Sequence, residues 1–163
     1  MVTRFITTFL VVCLFQGCGL QMQTSNATVN IGGEAFQLEI VRDIQSRAQG
    51  LMHRDEIPAD GGMLFIFPDT APRSFWMKNC LIPIDLLFLD SRGTITATHE
   101  MAIETPQSQE ESDWEYENRL SHYWSNSPAR FAIELRSGSI RRLGLRINQH
   151  ISLDLQHLRS IAR

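Results

Sequence analysis

The sequence predicts an α+β fold: a single β-rich domain whose sheet is mostly antiparallel, curled or barrel-like, with two short helices. Three observations carry that reading. Apolar runs of strand length, some alternating and some continuous, recur along the chain between Gly, Pro, Asp and Ser turns. Only two stretches have helical spacing, and both are short. A doubly wound α/β domain needs helices on both faces of a parallel sheet, so these are too few.

The elements follow in order. "AFQLEIV", from Ala35, sets Phe36, Leu38 and Ile40 against Gln37 and Glu39, the alternation of a half-buried strand. Ile44, Ala48, Leu51 and Met52 then fall at helical spacing, with Asp43 or Ser46 as N-cap and Pro58 beyond, which predicts a helix from about Gln45 to Met52. After the turn "DGG", the run "MLFIF" reads as a strand covered on both faces. "SFWMK" is the next strand expected, with Pro83 limiting its pairing. "IDLLFLD", the turn "SRG" and "TITATHEM" make a hairpin. From Thr105 to Pro128 the chain is polar and aperiodic, an expected loop whose "EESDWEYE" reads as a solvated face, with aromatic residues that would also suit docking. "RFAIEL" returns to strand, "IRRLGL" is one helical turn, and "HISLDL" closes with strand alternation. No internal repeat or low-complexity tract interrupts this order.

The N-terminus has a different character. Arg4 precedes a largely apolar run from Phe5 to Phe15, and small residues follow at Gly17 to Gly19, the layout of a secretory signal peptide over residues 1–17. The run is roughly half of the ~20 residues that a membrane-crossing helix needs, so export is expected in preference to an anchor. "LFQGC" resembles a bacterial lipobox through Gly17 and Cys18, although Phe15 and Gln16 depart from it. Lipidation of Cys18 is the favoured reading, and cleavage without a lipid the other. Residues 18–30 then read as a polar tether and 31–163 as one globular domain, exported to the periplasm or cell envelope. Of the three cysteines, Cys13 leaves with the signal and Cys18 is lipidated or removed. Cys80 remains, and one thiol cannot form an internal disulfide. A formal charge of −3 gives no basic surface for phosphates, so no nucleic-acid partner is expected.

Several short words coincide in order. They are "GLMHR" (Gly50 to Arg54), "GMLFIF" from Gly62, "FWMKN" (Phe75 to Asn79), "IPIDLLFLD" from Ile82, and Glu134 to Gly138 in the pattern Glu-x-x-x-Gly. With these the chain resembles the bacterial family known as domain of unknown function 192, over roughly Ala35 to Leu155. Cys80 stands where that family usually has threonine, and the acidic stretch Gln109 to Asn126 is peculiar to this chain. The resemblance implies a fold and a region to search, not a reaction.

The search centres on Lys78, the sole lysine beside fourteen arginines. Lysine is a compact charge whose pKa falls readily on burial, unlike the planar, always-charged guanidinium of arginine. Strand alternation would put Phe75, Met77 and Asn79 on one side and Trp76, Lys78 and Cys80 on the other. An aromatic plate beside an ammonium suits a ring-bearing anionic or sugar-like ligand; the plainer reading is a surface cation–π pair. Arg54 can clamp a carboxylate or complement a helix end. Asp85, inside an apolar strand, needs a partner, for which Lys78 and Arg54 are the candidates. Glu134 poses the same question. Arg54, Trp76, Lys78, Asn79, Asp85 and Glu134 are therefore the candidate ligand-binding residues.

Two functional classes follow: a binding or interaction module of the envelope, taking a small ligand or an envelope protein near Trp76, Lys78 and Asn79, or an enzyme moving protons between Lys78 and Asp85. Binding is favoured, because no nucleophile elbow, phosphate loop or zinc spacing is present. No cofactor is expected. Copper is a further alternative, since Met52, His53, Met77, Cys80, His99 and Met101 supply soft ligands; Met52, Met63 and Met77 sit in apolar words and read first as core. Cys80 as a nucleophile would need His53, His99 or His122 beside it. A buried, inert thiol is the preferred reading.

Overall fold

The computed structural model describes residues 25–162. The expected signal peptide, Cys13 and the lipidation site Cys18 lie outside the described residues. Of the residues 18–30 expected as a tether, those from Ser25 onward belong to strand β1 (Ser25–Ile31), which pairs antiparallel with β2 (Glu34–Val41), and the rest lie outside the described residues. The apolar side chains of Val29 and Ile31 bury against the sheet and bring that segment into the domain.

Six strands form one mixed sheet in the order β1-β2-β3-β8-β5-β6, with β3 at Gly61–Ala71, β5 at Ile84–Leu89, β6 at Ile95–Met101 and β8 at Ala129–Arg136. Every neighbouring pair is antiparallel except β2 with β3, which run parallel. The fold is thus α+β and mostly antiparallel, and the sheet stays open, with β1 and β6 at its ends. The parallel pair requires a crossover, supplied by residues 42–60 with helix α1 (Ile44–Gln49). Asp43 caps α1 by accepting from Ser46 N–H at 2.9 Å. The expected apolar helix stripe does not form: Ile44 is 80 % exposed, and Leu51, which is buried, lies beyond the helix end at Gly50.

Alternation along the central strands builds two cores, one on each face. Leu64, Ile66, Leu87, Leu89, Phe131, Ile133 and Leu135 point to one face together with Phe36, Leu38 and Ile40. There they meet Ile140 of α3 (Ser139–Leu143) and Leu158 of α4 (Leu155–Ile161). Met63, Phe65, Phe67, Leu86, Phe88 and Ala132 point to the other face, with Leu51, Met77 and Cys80. Each buried Leu, Ile or Phe side chain contributes roughly 1.5–3 kcal/mol. Continuous apolar runs such as "LLFL" are what two covered faces require.

Three expectations need correction. "SFWMK" is a strand only at β4 (Ser74–Phe75), which pairs with β7 (Tyr123–Trp124) in a separate two-stranded sheet. "HISLDL" makes a single bridge, Thr94 with His150, before α4 begins, where Asp154 accepts from His157 N–H at 3.1 Å. The polar stretch from Thr105 to Pro128 contains helix α2 (Asp113–Arg119), so the described residues hold four short helices, not two. The signal for α2 was a capping box: Ser112 accepts from Glu115 N–H and the Glu115 carboxylate accepts from Ser112 N–H.

Candidate functional site

A cavity of about 410 Å³ opens on the second face of the sheet. One wall is the end of α1 and the turn after it, from Arg47 to Met52; the opposite wall is Ser74, Phe75, Trp76 and Lys78. Phe65 and Phe67 of β3 lie beneath, with Cys80, His122 and Glu134. α1 has no buried residue because its inner side borders open space in place of packed side chains. Phe75 joins the walls, edge-on to Phe65 at 4.8 Å and to Phe88 at 5.3 Å between ring centroids. The site is therefore mixed, with Phe65, Phe67, Phe75 and Trp76 among its lining, in a size range that suits small ligands.

Glu134 supplies the buried polar group. It is 5 % exposed, and its Oε2 has no hydrogen-bond partner. Burial pushes its carboxyl up to about 8, opposed by the field of Arg54. An unpartnered buried carboxyl is costly, and such groups concentrate at functional sites. Gly62 brings the β8 backbone close at this point: a Cβ there would collide with the Glu134 carbonyl oxygen and stand 2.9 Å from Leu135 Cδ2.

Lys78 occupies the rim. Its ammonium pairs with Glu117 of α2 and lies 5.7 Å from the Trp76 ring centroid. Trp76 also meets His122 at 5.8 Å, and His122 stacks on Trp124 at 5.9 Å. Trp76 and Lys78 are thus together, but strand alternation is not the reason. The strand ends at Phe75, and a turn over Met77–Cys80 follows, closed by Cys80 N–H to Met77 O at 3.2 Å. Within it Asn79 takes φ +54°, a conformation asparagine tolerates better than most residues. The turn packs Cys80 into the core cluster with Met77, and Cys80 also borders the cavity that Trp76 and Lys78 line. Desolvation, with the Glu134 charge second, raises the Cys80 thiol to about 12.

The remaining candidates lie elsewhere. Asn79 is held by its backbone, whose N–H donates to Tyr116 Oη at 3.2 Å, and its side chain is not part of the cavity lining. Arg54 forms a two-point pair with Glu39, Nη2 to Oε2 at 2.7 Å. Asp85 is paired with neither Lys78 nor Arg54. Its Oδ2 accepts from Ile140 N–H at 2.7 Å, at the start of α3 on the opposite face of the sheet. The soft atoms weighed for copper are dispersed: Met77 and Met101 are core, and His99 Nε2 bonds the Trp124 carbonyl at 2.8 Å. Among the described residues no group of three or more His, Cys, Asp and Glu gathers. Arg47, Glu117, Phe65 and Phe67 belong to the site and were not singled out in sequence. Only their tertiary neighbours mark them.

A family described as DUF192, uncharacterized ACR, matches residues 27–153. No curated protein matches the chain. Among solved structures it is similar to a protein from Sinorhizobium meliloti described as a candidate transcription regulator. That match has 32 % identity and a TM-score of 0.62, over 77 % of this chain and 89 % of that one. It also resembles a protein of unknown function from Novosphingobium aromaticivorans at 23 % identity and a TM-score of 0.63, over 80 % of this chain and 85 % of that one. The second likeness concerns the fold alone.

Proposed function

The chain belongs to the DUF192 family, and we propose that it is a non-catalytic binding module of the cell envelope whose aromatic cavity takes a small sugar-like ring. The envelope location rests on the N-terminal signal layout and on Cys18 as its lipidation point. The observation that carries the binding reading is the Glu134 carboxyl, buried, without a partner at Oε2, and part of the cavity lining. Trp76 and Phe75 offer flat faces for the apolar side of a ring, and Glu134 offers a polar contact for a donor on it. A wholly anionic ligand is disfavoured, because Glu134 lies at the buried end and the Lys78 charge is already paired with Glu117.

Proton transfer between Lys78 and Asp85 has no support in the geometry, since Asp85 caps α3 on the other face. The regulator description of the S. meliloti protein is not carried over. The described helices span five to seven residues, and the chain's formal charge is −3, unlike a major-groove reader.

The test is a thermal-shift and calorimetric panel of neutral sugars, amino sugars and small organic anions on the wild type, Trp76→Ala and Glu134→Gln. A sugar that raises the melting point of wild type and loses at least tenfold in affinity with Trp76→Ala supports the reading by mass action. Saturable binding indifferent to both substitutions would remove the cavity from the account.

A further inference from the structure

The buried end of the cavity has a chemical preference of its own. We propose, resting on the binding reading above, that the ligand presents a protonated primary amine to Glu134, which makes it an amino sugar or a similar ring-bearing amine.

Three observations converge. Glu134 Oε2 accepts no hydrogen bond, so a donor is the missing complement. The cation whose field reaches Glu134 is Arg54, and its guanidinium is engaged by both oxygens of Glu39. The space beside Gly50 is bounded by carboxylate and aromatic ring together: a Cβ on Gly50 would stand 3.7 Å from Glu134 Oε2 and 3.5 Å from Phe65 Cζ. A ligand group in the cavity beside Gly50, clear of its backbone, would face both. An ammonium facing Glu134 gains a charge-assisted hydrogen bond, about twice as strong as a neutral one. A hydroxyl brings no positive charge to the carboxylate.

The other titratable groups do not supply this charge. The Cys80 thiol stays protonated, and its Sγ lies 3.5 Å from the Lys78 carbonyl. Lys78 is paired with Glu117, and Arg47 donates to the carbonyls of Arg42 and Ile66. His122 sits between Trp76 and Trp124. The cavity is thus graded, with a carboxyl at its buried end and cations at its rim, and a ligand would enter amine first. Binding of an ammonium to the protonated carboxyl transfers one proton from Glu134 to solvent and leaves an ion pair.

The experiment is isothermal titration of the purified protein at pH 7 with glucosamine, N-acetylglucosamine, glucose and glucuronate, in buffers of different ionisation enthalpy. Glucosamine is expected to bind at least tenfold more tightly than the other three, with release of close to one proton. Glu134→Gln should abolish that preference, and the proton count in the wild type tests the idea even if the variant does not fold. Equal binding of glucose and glucosamine, or no proton release, overturns the amine assignment while leaving the binding module standing. Binding of none of the four overturns both.

Discussion

Asp85 and Glu134 stand on adjacent strands, one register step apart, and face opposite sides of the same sheet. Asp85 pairs with Leu135 and Leu86 pairs with Glu134 in the β5–β8 ladder. Because successive side chains alternate, the one-residue offset sends one carboxyl to α3 and the other to the cavity. Burial raises both pKa values, yet Asp85 Oδ2 is anchored by Ile140 N–H while Glu134 Oε2 has no partner. Two carboxyls in apolar strands therefore have separate tasks, one structural and one facing the cavity.

Glu134 should make stability fall as pH rises. Its folded-state pKa, about 8, exceeds the ordinary 4.5, so the folded protein holds an extra proton between those values. The stabilisation is complete below 4.5 and is lost as pH rises through 8, with a limiting slope of ~1.4 kcal/mol per pH unit. Asp85 contributes in the same sense, so the contribution of Glu134 is the difference from Glu134→Gln. Urea unfolding from pH 4 to pH 9 should show a flatter profile for the variant, which should also be the more stable protein at the alkaline end.

Asp85→Ala should destabilise by about 1–3 kcal/mol, the cost of leaving a buried N–H without its acceptor. Asp85→Asn, which keeps a carbonyl oxygen for Ile140, should lose less. Denaturant midpoints measure both. A variant that remains folded should keep its ligand affinity, because Asp85 lies on the face away from the cavity.

The Lys78–Glu117 pair is partly exposed, with side-chain exposures of 23 % and 40 %. Solvent screening limits such a pair to about 0.2–1 kcal/mol. A double-mutant cycle with Lys78→Met and Glu117→Gln should return a coupling in that range that shrinks at high salt. A much larger coupling would mean that α2 depends on this contact.

Gly62→Ala should cost about 1–3 kcal/mol by overpacking, since the new methyl meets the Glu134 carbonyl and Leu38 as well as Leu135. Its melting temperature should drop, whereas alanine at Gly33, where a Cβ meets nothing within 4 Å, strains only a turn with φ +89°.

Cys80 should resist alkylation at pH 8 in the folded protein, because burial raises its thiol to about 12. Iodoacetamide followed by peptide mapping should modify Cys80 only in denaturant. Rapid native labelling would show that the core around Met77 opens.

Residue order alone determined the α+β class, the strand alternation of Phe36, Leu38 and Ile40, the hairpin from Ile84 to Met101, and the neighbourhood of Trp76 with Lys78. These depend on local periodicity, turn chemistry and proximity along the chain, which act within a few residues. The parallel pairing of β2 with β3, the partner of Asp85 and the cavity itself were decided by tertiary structure. Asp85 lies far along the chain from Ile140, and no local rule could join a strand carboxyl to that N–H. Glu134 shows the division most clearly. Its place within an apolar strand marked it in the sequence, but only the packing of α1, β3 and the Met77–Cys80 turn left its carboxyl buried beside open space.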